Sequence, residues 1–202
     1  MQLSDVRLGL DTPPGFADAM PTGSPRLHEL AEALTPASNR ILMFVIPDGD
    51  LRRFNSGEPP ELRRYMLVTT PKSLEHEHLS PGTFKTNAGE SFRALGKPLA
   101  ADTDLAKHLA SMAVGQASLL AELRKDPDAF SALIATRLPS TGGAMGYFAT
   151  ANYLITTRSL MLVRGKTLDL SVYTTYDGPA DVEWIRTITV RWIEELRRLN
   201  SR

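Results

Sequence analysis

Apolar and polar positions follow two different periods along this chain, and the change of period separates predicted helices from predicted strands. Leucines recur at helical spacing in SPRLHELAEAL, where Ser24 is a candidate N-cap and Pro25 suits the first helical position. The continuous apolar run Ile41–Ile46 is typical of a buried central strand. RRYMLVTTP (63–71) predicts the next strand, and residues 6–10 predict a short strand near the start.

The middle of the chain predicts two further helices. SPGTFKTNAGESFRAL predicts a helix that begins near Ser80. Residues 103–125 have the clearest helical pattern, with Thr103 as a plausible cap and the DPD sequence at 126–128 as a stop. The apolar stripe of this predicted helix consists of Leu105, Leu109, Met112, Gln116, Leu119 and Leu123.

After Phe130 the pattern becomes strand-like. The segments FSALIATRLP, GYFATANYLITT, LMLVR and TLDLSVYTTY predict strands. In the last of them, apolar side chains at 168, 170 and 172 alternate with Asp169, Ser171 and Tyr173. ADVEWIRTITVRWIEELRRLN then predicts an amphipathic helix, whose apolar face consists of Val182, Ile185, Ile188, Trp192, Leu196 and Leu199.

These elements predict an α+β fold: a central, mostly antiparallel sheet flanked by helices in an α/β/α sandwich, ending in the amphipathic helix. The chain has no internal repeat and no long linker. We therefore expect a single domain over residues 1–202, with residues 103–125 as a candidate helical insertion.

Charge and composition restrict the classes of function. Lys+Arg and Asp+Glu both number 23, and this balance argues against a nucleic-acid binder, which needs a basic face. The four arginines of LRRFNSGEPPELRR (51–64) follow the turn signal PDGD, and we interpret them as a solvated hairpin tip. The chain has no cysteine, which excludes disulfides and thiol catalysis.

The sequence also bears on location. No apolar run approaches the ~20 residues that span a bilayer. The start, MQLSDVRLGLDTPPGF, lacks the basic head and apolar run of a signal peptide. The chain is therefore expected to be either periplasmic, with a leader removed, or cytoplasmic.

The densest cluster of metal-ligand residue types is Glu75–His78, in the segment LEHEHL. Its alternating histidines would lie on one face of an extended segment, but a metal site needs three or four converging ligands. We interpret the segment as a polar loop and predict no bound metal and no cofactor.

Three other patterns suggest chemistry only weakly. STGGAMGY (140–147) has the glycines of a phosphate loop but precedes a strand, so we interpret it as a flexible connection. Asp48 with Asp50, and Asp126 with Asp128, flank turn residues and are interpreted as turn chemistry rather than as acid–base pairs. No catalytic residue is predicted.

The segment from Leu162 to Ile188 closes the predicted fold. Gly165 supplies the positive φ of a hairpin turn, and Pro179 leads into the last helix. Trp184 lies beside the apolar stripe of that helix and is expected to be a partly buried anchor. Each of these residues has a structural role, so no chemistry is predicted here.

The order of elements resembles the PsbP/DcrB-like superfamily, α/β/α proteins that include photosystem accessory subunits, a nuclear-import Ran-binding factor and bacterial envelope proteins. The residues that carry the resemblance are Pro14-Gly15-Phe16, Gly165-Lys166 and Trp184. The resemblance covers roughly residues 6–200 and implies a protein-binding role with no shared active site.

Three functions remain open at the level of sequence. The first is a non-enzymatic accessory or protein-interaction module of the bacterial cell envelope, whose partner is another protein. The second is a cytosolic effector chaperone or adaptor. The third is a protein that binds a metal or a small ligand, or an enzyme that uses Glu75–His78. We predict the first, without enzymatic activity.

Overall fold

The computed structural model of this protein describes residues 1–139 and 152–201. A short hairpin of β1 (Gln2–Leu3) and β2 (Val6–Arg7) comes first. The remaining strands are β3 (Phe16–Asp18), β4 (Asn39–Pro47), β5 (Arg64–Pro71), β6 (Ala117–Lys125), β7 (Ala129–Arg137), β8 (Tyr153–Val163) and β9 (Lys166–Thr175). They form one antiparallel sheet in the order β3-β4-β5-β9-β8-β7-β6.

Helices lie on both faces of this sheet. The α-helices of the described residues are α1 (Pro25–Ala33), α2 (Asp48–Asn55), α3 (Pro81–Arg93), α4 (Leu105–Ser111) and α5 (Pro179–Asn200). The predicted α+β class, with its antiparallel sheet and C-terminal helix, is confirmed. Within the described part of the chain, no helix is both long and apolar enough to cross a lipid bilayer.

One face of the sheet, which we call the first face, packs against α5. Ile185, Trp192 and Leu196 of α5 are buried in a continuous apolar cluster with alternate residues of the strands. The predicted stripe of this helix is therefore confirmed as its packing surface. The N-terminal hairpin extends the same cluster, because Leu3 and Leu8 are also buried in it.

The opposite, second face carries two separate apolar clusters. The first joins α1 and α2 to β4 and β5, with Leu27 and Phe44 among its fully buried residues. The second joins α3 to β6, β7 and β8, with Phe84 packed edge-on against Phe130. The middle of the second face lies between these clusters.

Two of the predicted helix starts are confirmed at their caps. α1 begins with Pro25 after Ser24, although the Ser24 side chain makes no capping hydrogen bond. α3 begins after Ser80, whose Oγ accepts a hydrogen bond from the N–H of Thr83 at 3.1 Å. This bond satisfies one of the free N–H groups of the first helical turn.

The single helix predicted over residues 103–125 is wrong. The structure has the short helix α4, capped by Asp104 rather than Thr103, and then the edge strand β6. The helix ends at Ser111, because Met112 is already extended, and Gly115 adopts a left-handed φ of +78° in the connection to β6. Irregular pairing between Leu119 and Ala121, and again between Glu122 and Arg124, interrupts the strand alternation in β6. These bulges hid the period of two, so the leucines looked helical.

The hairpin tip predicted over residues 51–64 is also wrong. PDGD opens the helix α2 instead of a turn. Asp48 and Asp50 lie in its first turn, where negative charge favours a helix start. The arginines of this segment are partly neutralised, because Arg53 pairs with Glu58 and Glu61.

Two strand predictions change in length. The strand predicted at residues 6–10 is limited to β2, which pairs with β1. The segments YLITT and LMLV were predicted as separate strands, but they form the continuous strand β8. The glycine-rich segment 140–147, and the beginning of the strand predicted from residue 146, lie outside the described residues.

Candidate functional site

The middle of the second face carries an open groove between α1 and α3. Helix α1 packs on β4 and on part of β5, and α3 packs on β7 and β8, so the groove lies over β9 and the adjoining residues of β5, β8 and β7. The groove has a volume of about 340 Å³. We call it the sheet-face groove, and it is lined by Leu34, Thr35, Pro36, Asn39, Leu67, Thr69, Ile134, Thr136, Thr156, Arg158, Asp169, Ser171 and Tyr173.

Strand alternation places the polar residues of this groove side by side. Side chains at successive strand positions point to opposite faces, so the apolar residues of β9 face α5 while its polar residues face the groove. The register then sets their neighbours. Thr156 of β8 lies opposite Tyr173 of β9, and Arg158 lies opposite Ser171.

An ion pair occupies the centre of the groove. Arg158 Nε donates to Asp169 Oδ2 at 3.0 Å, and Ser171 Oγ donates to Asp169 Oδ1 at 3.1 Å. Asp169 is only 8% exposed, whereas the Arg158 side chain is 44% exposed. The carboxylate is therefore held inside the groove, and the guanidinium extends toward the solvent.

The rest of the groove offers neutral hydrogen-bonding groups. Asn39 Nδ2 donates to Thr69 Oγ1 at 3.3 Å. Tyr173 stacks on Tyr65, with ring centroids 4.4 Å apart. Burial raises the pKa of both phenols, so they stay protonated at neutral pH. The groove can therefore bind polar groups through hydroxyl and amide side chains around one compensated ion pair.

None of these groove residues was predicted as a site. A signal was present in β9, where Asp169 stands in the middle of a strand rich in apolar residues. A charged residue at such a position needs a partner when the strand is buried. The partner, Arg158, lies on the neighbouring strand β8, and the sequence alone does not show this pairing.

The structure explains the histidines of the Glu75–His78 segment by their contact with the N-terminal hairpin. His76 Nδ1 lies 3.2 Å from Ser4 Oγ, and His78 Nε2 lies 2.9 Å from Asp5 Oδ2. The segment connects β5 to α3, as the loop interpretation predicted. The described residues contain no group of three or more His, Asp or Glu side chains that could hold a metal ion.

Lys166 is a buried charge that the sequence did not reveal. Its side chain is fully buried, and Nζ donates to the carbonyl oxygens of Glu75 and Glu77 at 3.2 and 3.1 Å. Asp5 Oδ1 lies 3.2 Å from the same nitrogen. The hydrogen bond from His78, together with the Asp5 backbone and Lys166, lowers the Asp5 pKa to about 2. These contacts fasten the hairpin to the end of the sheet.

The two aspartate pairs have different structural roles. Asp50 accepts hydrogen bonds from the N–H groups of Glu61 and Leu62, and so holds the loop after α2.

Asp126 and Asp128 were interpreted as turn chemistry, but both accept hydrogen bonds from Arg197 of α5, at 2.7 and 2.6 Å. The hydrogen bond from Arg197, and then that from Arg124, lowers the pKa of Asp126. This pair joins the β6–β7 turn to the end of α5, which the interpretation from local turn patterns missed.

The joint between β8, β9 and α5 has the predicted hairpin turn and helix start. Arg164 and Gly165 both adopt positive φ, 50° and 81°, in the hairpin turn. Trp184 is half-buried, and its ring stacks on Phe16 with centroids 6.2 Å apart. The guanidinium of Arg64 lies 4.0 Å from the centre of the Trp184 ring. Trp184 is therefore the partly buried anchor that the sequence predicted.

Comparison with known proteins gives a distant structural likeness. No protein-family model matches this chain, and no curated protein matches it. A similar solved structure is the Ran-binding protein Mog1p of Saccharomyces cerevisiae, at 11% identity and TM-score 0.40, over 93% of this chain and 85% of that one. A mutant of protein Mog1 is similar at 12% identity and TM-score 0.41, over 92% and 85%. At these values the likeness says nothing about what this chain binds.

These findings correct the assignment to the PsbP/DcrB-like superfamily. That assignment was made from the order of elements and a few residues of the sequence, and it is wrong. No family model matches this chain, so none supports that assignment. The residues that carried the resemblance have general structural roles: Gly165 forms a hairpin turn, and Phe16 stacks on Trp184. Such roles recur in unrelated folds, so these residues do not identify a family.

Proposed function

We propose that this chain is a protein-interaction module that binds an extended segment of a partner protein in the sheet-face groove. The observation that supports this is the uncovered centre of the second face, between α1 and α3. The proposal concerns one face of the sheet, because the first face is already occupied by α5.

The spacing of α1 and α3 favours an extended occupant. In the order of the sheet, β4 lies under α1, and β8 and β7 lie under α3. These two strands are three and four positions away from β4. At about 4.8 Å per position, this separates the helices by roughly 14–19 Å. The axes of helices in direct contact are about 8–10 Å apart. The separation of α1 and α3 is larger than this by roughly the width of one extended chain.

The chemistry of the groove also suits a polypeptide backbone. An extended segment has N–H and C=O groups that need partners when they leave water. Thr156, Ser171 and Thr69 place hydroxyl groups along the groove floor, and the exposed part of Arg158 adds a donor. Leu67 and Ile134 provide apolar contact for alternate side chains of the segment.

The proposal is tested by site-specific crosslinking in the organism of origin. A photoreactive p-benzoylphenylalanine at Thr156 should yield one discrete adduct, and mass spectrometry should place the crosslink in a single continuous segment of the partner. The control carries p-benzoylphenylalanine in place of Arg191, on the exposed side of α5. An absence of adduct from position 156, or the same adduct from both positions, would contradict the proposal.

Binding of the identified segment then gives a quantitative test. Thr156→Arg places a long cation in the groove and should weaken binding at least about tenfold, or ~1.4 kcal/mol. The matched control is Thr86→Arg on the exposed side of α3, which should leave the dissociation constant unchanged. Equal weakening by the two variants would indicate a charge effect rather than occupation of the groove.

The proposal has two further parts: this chain has no enzymatic activity, and it lies in the bacterial envelope. A binding role predicts background rates in screens with generic esterase, phosphatase and peptidase substrates. Robust turnover that is lost on substitution of Arg158 or Asp169 would contradict this. Fractionation of the native gene product tests the location, since recovery from the cytoplasm would favour the adaptor alternative.

A further inference from the structure

A second groove lies on the second face near the edge strand β6, between α3 and β6. It has a volume of about 280 Å³. Phe92 and Phe130 form its floor, with ring centroids 5.8 Å apart. We call it the α3–β6 groove, and its walls are formed by Lys85, Gly89 and Arg93 on α3 and by Arg124 and Lys125 on β6.

The acidic groups at this groove are already engaged on the β6 side. Asp126 accepts hydrogen bonds from Arg124 at 2.9 Å and from Arg197 at 2.7 Å. Glu122 lies 3.9 Å from Lys125 Nζ. Among the described residues, no acidic side chain pairs with Lys85 or Arg93. The α3 wall therefore carries two positive charges that are not in an ion pair with any described residue.

Gly89 keeps the α3 wall open between these two charges. Lys85, Gly89 and Arg93 are four residues apart in turn, so they lie on one side of the helix. A methyl group at Gly89 would meet only the end of the Arg93 side chain, at 3.9 Å. Neither packing nor a positive φ requires glycine here, although glycine inside a helix costs about 1 kcal/mol relative to alanine.

We propose that the α3–β6 groove binds a small organic anion with an aromatic or apolar body. The body contacts Phe92 and Phe130, and the anionic group lies between Lys85 and Arg93. A cavity of this volume is near the lower end of the size of small-molecule sites, which fits a compact ligand. The site is separate from the sheet-face groove and does not depend on the proposed partner.

The binding test uses naphthalene-2-sulfonate as the anionic probe and 2-naphthalenemethanol as its uncharged counterpart. Titration of the isotope-labelled protein, followed by amide NMR, should shift the Gly89 signal saturably with the sulfonate. The alcohol should bind at least about tenfold more weakly, since it lacks the charge. Equal binding of both probes, or shifts that leave Gly89 unaffected, would overturn the proposal.

Variants locate the site. The double variant Lys85→Ala/Arg93→Ala should weaken sulfonate binding at least about tenfold. The control Lys97→Ala/Arg52→Ala removes the same charge from exposed positions elsewhere and should leave binding unchanged. Gly89→Leu should also abolish binding by filling the groove, while the fold is kept because leucine favours helices. Sulfonate binding that survives both groove variants would overturn the proposal.

Discussion

The two faces of the central sheet are built from the same strands but are covered differently by helices. On the first face, α5 packs along the centre of the sheet and forms one continuous apolar cluster with it. On the second face, α1, α2 and α3 pack only toward the sides, and two clusters remain apart. The first face therefore supplies most of the shared core, whereas the second leaves strand residues available to a ligand.

Strand β8 shows this difference at two adjacent residues. Thr157 is fully buried on the first face, and its hydroxyl lies 2.6 Å from that of Thr189 in α5. Thr156 is only partly buried and lines the sheet-face groove. The same residue type is thus committed to internal packing at one position and open to binding at the next, because side chains alternate between faces.

The largest expected effect comes from removing the central anchor of the first face. Trp192 is 2% exposed, and its Nε1 donates to the carbonyl oxygen of Asp11 at 2.8 Å. Trp192→Ala should lower the free energy of unfolding by ~3–5 kcal/mol, measured by urea denaturation. The neighbouring exposed variant Arg191→Ala should change it by less than about 0.5 kcal/mol. Similar values for the two variants would mean that α5 does not pack as described.

A substitution of Lys166 tests the contacts that hold the N-terminal hairpin at the end of the first face. Lys166→Met keeps the length of the side chain but leaves the carbonyls of Glu75 and Glu77 without this donor. We expect a loss of about 1–3 kcal/mol in the free energy of unfolding. Lys97→Met, at an exposed position, is the control. The role of Lys166 would be refuted if both variants were equally stable.

The threonine pair of β8 compares the two faces directly. Thr157→Val leaves the buried Thr189 hydroxyl without its partner and should cost about 1–2 kcal/mol in unfolding free energy. Thr156→Val should change stability by less than about 0.5 kcal/mol. In the double variant Thr157→Val/Thr189→Val, much of the loss should be recovered, because neither hydroxyl remains unpaired. Equal destabilisation at 156 and 157 would remove the distinction between the faces.

The smallest expected effect is a dependence of stability on pH at the exposed carboxylate of Asp5. Its folded pKa of about 2 lies below the ordinary value of 3.8. The ionised form therefore stabilises the folded state above roughly pH 4, and this contribution is lost as the pH falls toward 2. Urea midpoints of the wild type and Asp5→Asn should differ at pH 6, and the difference should shrink steadily as the pH falls from 4 toward 2. A difference that stays constant over this range would contradict the assignment.

The sequence predicted those elements in which the local pattern and the final packing agree. α5 was predicted because its apolar stripe has one helical period and is buried as one surface. β9 was predicted because its residues alternate without a bulge. The prediction failed over residues 103–125. There a short helix, a left-handed glycine and a strand with two bulges follow one another, so neither the helical nor the strand period continues through the segment.

The candidate sites were less predictable than the elements. Asp169 and Arg158 come from different strands, and only the register of β8 and β9 brings them together. The α3–β6 groove combines a helix with a segment that was itself predicted as helical. Local periodicity cannot reveal either arrangement, because each depends on contacts between residues that are distant in the chain.

By itself, the sequence determined which residues share a face in regular elements such as α5 and β9, because side-chain direction follows from the local backbone period. It thereby determined the α+β class and the amphipathic character of α5. Only the tertiary structure decided what covers each face: strand pairing between distant segments placed α5 on the first face and left the centre of the second open. The burial of Lys166 was decided in the same way, since its partners lie in the N-terminal hairpin and in the connection after β5.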